Sequence, residues 1–87
     1  MKYSVMAYRD KETEKFNPCM LFPFDVDSVI ETVREGAIKG KIEGCDAFEL
    51  FHLGFYDTAN GLFTLNEKPV KVLDLSQHVR KESDKTN

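Results

Sequence analysis

An α+β fold, with a small antiparallel sheet of four to five strands and one helix packed on it in ββαββ order, is what this sequence predicts, and three observations predict it. A turn signature occurs twice: Tyr8-Arg9-Asp10 and Phe55-Tyr56-Asp57 each end an apolar run, five residues intervene, and Phe16 or Phe63 restarts the run. Between the two copies, residues from Asp25 to Ile38 combine helix-start side chains with apolar residues near helical spacing. Residues 48–56 then alternate as a strand does. Asp heads turns because its carboxylate accepts hydrogen bonds from backbone N–H groups just ahead, while aromatics suit the pleated surface of paired strands. Asn60-Gly61 strengthens the second copy, since both residues tolerate positive φ.

Taken in order, Lys2 to Arg9 carries Tyr3, Val5 and Ala7 on one alternation and Ser4, Met6 and Tyr8 on the other. Both faces are partly apolar, which places this strand inside a sheet. Lys11 to Lys15 reads as a solvated loop, and Phe16 to Phe24 resumes strand character. Pro18 and Pro23 cannot donate to a ladder, so that second strand belongs at an edge or is short. Asp25-Val26-Asp27-Ser28 offers several N-cap oxygens, and Ser28 with Glu31 has capping-box spacing, so a helix of about three turns starts there. Val29, Ile30, Val33, Ala37 and Ile38 supply its buried stripe, Glu31, Arg34 and Glu35 its wet face, and Gly40 or Gly44 its end.

Phe48 to Tyr56 is expected to be the central strand, with Phe48, Leu50, His52, Gly54 and Tyr56 on one face and Glu49, Phe51, Leu53 and Phe55 on the other. Gly54 in mid-strand marks a bulge or a close backbone approach. Leu62 to Leu65 pairs back across the turn. Val70 to Leu75 adds either a fifth strand or, with Ser76 as cap, a short helix. Residues 1–75 thus form one domain. Past Ser76 only Val79 is a large aliphatic residue, so 76–87 reads as a flexible polar C-terminal tail.

Composition narrows the class of protein. The 87 residues suit one modest core, and 41% hydrophobic with 31% charged residues is ordinary globular usage. A monomer or a small homo-oligomer is expected. The formal charge is −3 and no segment is polycationic, which weighs against tight non-specific grip on DNA. Cys19 and Cys45, with no secretory leader ahead of them, are expected to be reduced thiols. No apolar run approaches the roughly 20 residues that span a bilayer, so no membrane partner is expected.

The chemistry-bearing residues point away from catalysis. His52, His78, Cys19 and Cys45 lack the short spacings that hold a metal, neither thiol has a neighbouring base, and Gly36, Gly40 and Gly44 lack the ending of a phosphate loop. Asp25 and Asp27 are explained by capping, Asp10 and Asp57 by turns. No enzyme, metal or cofactor is expected. What remains is aromatic and basic: Tyr3, Tyr8, Arg9, Lys11 and Lys15 near the first hairpin, and Phe55, Tyr56 and His52 on the central strand. Sheets that bind single strands stack bases on aromatics and hold phosphates with flanking cations. The competing use of these rings is core volume, which a domain without Trp must draw from them.

The run Asp46-Ala47-Phe48-Glu49-Leu50-Phe51-His52-Leu53-Gly54-Phe55-Tyr56-Asp57, followed by Asn60-Gly61-Leu62-Phe63, resembles the central block of the small non-structural proteins of gokushovirus-type microviruses, which are single-stranded-DNA phages. Tyr3-Ser4-Val5, Tyr8-Arg9-Asp10 and Pro23-Phe24 fall where that family has similar elements, and the likeness covers roughly residues 2–75. It implies a non-enzymatic accessory protein of phage DNA replication or packaging in the host bacterial cytoplasm. The expectation is a module that binds single-stranded DNA, with Arg9, Lys11 and Lys15 on phosphates and Tyr8 and Tyr56 stacking on bases. The alternative is a regulatory factor that docks on a phage or host replication protein without touching DNA.

Overall fold

The two Asp-headed turns close in the same way. A computed structural model describes residues 1–40 and 45–77. In the first turn the Asp10 carboxylate accepts the N–H groups of Glu12 at 2.8 Å and Thr13 at 3.3 Å, and the Asp10 carbonyl accepts that of Glu14 at 2.8 Å. In the second, the Asp57 carboxylate accepts Ala59 N–H at 2.9 Å and its carbonyl accepts Gly61 N–H at 2.8 Å. The fourth residue after each Asp has positive φ, +59° at Glu14 and +73° at Gly61. The repeat in sequence is therefore a repeat of turn geometry, with a Cβ forced into the left-handed region in one copy only.

That difference makes a prediction. Glu14→Gly removes a left-handed penalty of about 1–2 kcal/mol and loses part of it to chain entropy, for a net gain of roughly 0.5–1 kcal/mol. A urea midpoint that rises supports this reading, and one that falls refutes it.

Four strands form a single antiparallel sheet in the order β2-β1-β3-β4: β1 (Lys2–Asp10), β2 (Met20–Phe22), β3 (Phe48–Asp57) and β4 (Leu62–Asp74). As expected, β1 and β3 are interior and the Pro-flanked β2 is a short edge. Beside the first turn the ribbon is held by the single bridge Arg9↔Phe16 before pairing resumes at Met6↔Met20. There is no fifth strand among the described residues. Leu62–Leu65 and Val70–Asp74 belong to one strand, β4, both paired with β3, and Asn66 to Pro69 form an extended bulge between them without ladder partners in β3. The Asn66 amide pins that excursion by donating to the His52 carbonyl at 2.9 Å, with His52 Nδ1 at 3.1 Å. An edge bent by a bulge that carries a proline is a poor template for another strand.

The helix α1 (Val26–Ile38) begins earlier than the capping box placed it. Asp25 is the N-cap and accepts Ser28 N–H at 2.8 Å, so Ser28 lies inside the first turn and Glu31 pairs with Arg34 at 2.7 Å instead. Val29, Val33 and Ala37 are buried as expected, but Ile38 stays 45% exposed in the last turn. Gly40, at φ +70°, follows the helix and donates to the Ala37 carbonyl at 3.1 Å. Gly44, His78 and the tail from residue 78 lie outside the described residues, whereas Ser76 and Gln77 belong to a 3-10 turn after β4.

The helix presses on one face of the sheet, and the core there is Met6, Val29, Val33, Ala37, Leu50, Leu73 and Leu75, with Tyr8 and Phe22 packed at its margin. Thirteen helical residues span only about 20 Å by helix rise. The described residues extend 52 Å along their longest axis, so much of the sheet carries no helix on either side.

Candidate nucleic-acid interface

Which side chains share the helix-free face is decided by a bulge. Met6 pairs with His52 but Val5 pairs with Gly54, so Leu53 is an extra residue in β3 and the alternation slips by one. The expected faces of β3 therefore hold only up to His52. Beyond it Phe55 joins His52 on the helix side, their rings 4.8 Å apart, and Tyr56 moves to the face of Glu49 and Phe51. A one-residue slip exchanges every later side chain between faces.

Cross-strand partners lie side by side on one face. The helix-free face thus carries Tyr3, Val5, Ala7 and Arg9 from β1, Phe51 and Tyr56 from β3, and Phe63, Leu65 and Lys71 from β4. Its rings form two pairs: Phe16 with Phe51, 5.1 Å apart and near edge-on, and Tyr56 with Phe63, 4.8 Å apart. Between them Val5 and Ala7 make a floor, 2% and 1% exposed although no helix covers them. The rings flank that floor and stand partly in solvent, with Phe63 54% exposed.

Charge is concentrated at the end of the face nearest the first turn. Arg9 contacts Glu14 and Glu49 at 3.2 Å each, Lys71 contacts Glu49 at 3.2 Å, and Lys11 contacts Asp74 and Ser76 at 3.1 Å each. Three cations meet three carboxylates, so the cluster is close to neutral.

The five residues singled out from sequence are not brought into one site. Tyr56 and Arg9 lie on the helix-free face, whereas Tyr8 sits on the helix side against Phe48, ring centroids 6.0 Å apart. Tyr8 and Tyr56 cannot stack bases on a common platform. Lys11 is bound to Asp74, and Lys15 extends from the turn with no acid in ion-pair range among the described residues. Tyr3, part of the constellation read from sequence, joins Tyr56 on this face, whereas sequence reasoning missed Phe16, Phe51, Phe63 and Lys71. Phe16 and Phe63 had a legible signal, since the duplicated signature sets each at the same step after its Asp.

Two carboxylates titrate low. The Ser76 hydroxyl chiefly, aided by Lys11 and opposed by burial, holds Asp74 below the ordinary carboxylate value, and the bonds from Ser28 do the same for Asp25. A depressed folded-state value contributes stability above the unfolded value and loses it as pH falls through the folded one. The urea midpoint is expected to fall as pH drops from neutral to about 3, and less so in Asp74→Asn. An Asp74→Asn profile as steep as the wild type's would refute the assignment.

Among the described residues no three His, Cys, Asp or Glu side chains converge to hold a metal ion, and no helix is long and apolar enough to cross a membrane. No family model, curated protein or solved structure matches this chain.

Proposed function

We propose that this chain is a non-enzymatic accessory protein of a microvirus-type phage, acting in the host cytoplasm, and that it binds single-stranded DNA on the helix-free sheet face. One observation carries this reading: exposed and half-exposed rings stand on both central strands and their neighbours, on the side the helix leaves open. Bases stack on such rings without regard to sequence, which suits a genome met as a single strand. Because Arg9, Lys11 and Lys71 already face carboxylates, stacking supplies most of the affinity and phosphate contacts little.

The test is anisotropy of a labelled oligothymidylate across a salt series. Expected is measurable binding with a shallow log–log slope of about −0.7 to −1.4, equivalent to one or two phosphates. No binding at low salt rejects the reading. The neutral charge cluster favours one other reading, in which the same face docks on a replication protein. Capture of such a partner together with absence of any DNA binding would establish it.

A further inference from the structure

We propose that Arg9 and Lys71, bridged by the buried carboxylate of Glu49, form a site for one backbone phosphate, and that Glu14 occupies this site until a phosphodiester displaces it. The inference rests on the single-strand reading and locates its phosphate contact.

Glu49 is 8% exposed and each of its oxygens holds a different cation, Oε1 on Arg9 Nη1 and Oε2 on Lys71 Nζ, both at 3.2 Å. One acid from β3 thereby fixes a cation from β1 and a cation from β4 side by side on the helix-free face. Two positive charges against one negative leave a surplus of one. Glu14 cancels it through the other terminal nitrogen, Nη2, at 3.2 Å.

Glu14 is the replaceable member of this set. Its side chain is 76% exposed and its backbone is held in the left-handed region by the turn. Ion pairs with so exposed a partner are weak, and a phosphodiester offers a guanidinium the same paired oxygens as a carboxylate. The rings complete the site. Arg9 is the bridge partner of Phe16, and Phe51 follows Glu49 by two residues on the same face, so a nucleotide whose phosphate meets Arg9 has the Phe16 and Phe51 rings beside its base. Lys11 is outside the site, bound to Asp74 and Ser76.

The experiment measures oligothymidylate binding by the whole chain over a salt series, for wild type, Glu14→Gln, Arg9→Gln and the double variant, with circular dichroism to verify the fold. Glu14→Gln is expected to bind about two- to fivefold tighter at low salt, the gain fading as salt rises. Arg9→Gln is expected to bind more weakly with a slope flatter by about 0.7, the loss of one phosphate contact. In the double variant the gain from Glu14→Gln disappears. If the wild type binds and Glu14→Gln binds no better, the phosphate site is overturned while the single-strand reading stands. If neither binds, both fall. Binding seen only with Glu14→Gln overturns both, because Glu14 is then a block that a phosphodiester does not displace.

Discussion

Gly54→Ala is expected to destabilise the protein by roughly 3–5 kcal/mol, enough to remove much of the 5–15 kcal/mol typical of a small domain. Two costs combine. Gly54 has φ +154°, a backbone conformation that a Cβ disfavours. A Cβ built there also collides with the Thr64 carbonyl oxygen and lies 2.7 Å from the Leu65 Cα. Both obstacles are backbone of the neighbouring strand and cannot swing aside as a side chain tip does. The same bulge sets Tyr56 on the helix-free face, so relief by straightening β3 would also move that ring. Urea denaturation checks this: a midpoint near the wild type's would mean that β3 and β4 do not approach as closely as described.

Tyr56→Ala combined with Phe63→Ala is expected to weaken single-strand binding about five- to 150-fold, the loss of one stacked base. Stacking contributes about 1–3 kcal/mol per base, and 1.4 kcal/mol is a factor of ten. These two rings touch one another and lie at the far end of the face from the charge cluster, so their loss leaves the Arg9 and Lys71 contacts in place. The salt slope should therefore stay unchanged while affinity falls. Ile38→Ala, which trims an exposed apolar side chain from the helix, serves as the control and should bind as the wild type does. Equal losses in both variants would point to a general effect on stability.

Strand and turn placement was legible because it depends on local chemistry. Asp10 and Asp57 form the hydrogen bonds their side chains favour, Pro18 and Pro23 bracket a three-residue edge, and Val29, Val33 and Ala37 lie on the helix stripe as spaced. The helix start was legible as a choice among the oxygens of Asp25, Asp27 and Ser28, and the one that captures the N–H group, Asp25, decides the register. The candidate site was legible only in part, for a reason that can be traced to Leu53. Alternation assigns faces only while the ladder is regular, and one extra residue opposite Val5 and Met6 exchanges Tyr56 with Phe55. Gly54 announced that something irregular occurs there, but not which neighbour gains the added residue. The ion pairs of Arg9 and Lys71 with Glu49 join three strands, and no local pattern in the chain indicates them.

The claim that the helix-free sheet face is the working surface is tested most directly by titrating isotope-labelled protein with oligothymidylate and following the backbone amide resonances. The account predicts shifts concentrated at Tyr3, Arg9, Phe16, Phe51, Tyr56, Phe63 and Lys71, with α1 from Val26 to Ile38 unmoved. Shifts centred on α1 and Tyr8, or a spectrum unchanged at saturating oligonucleotide, would contradict it.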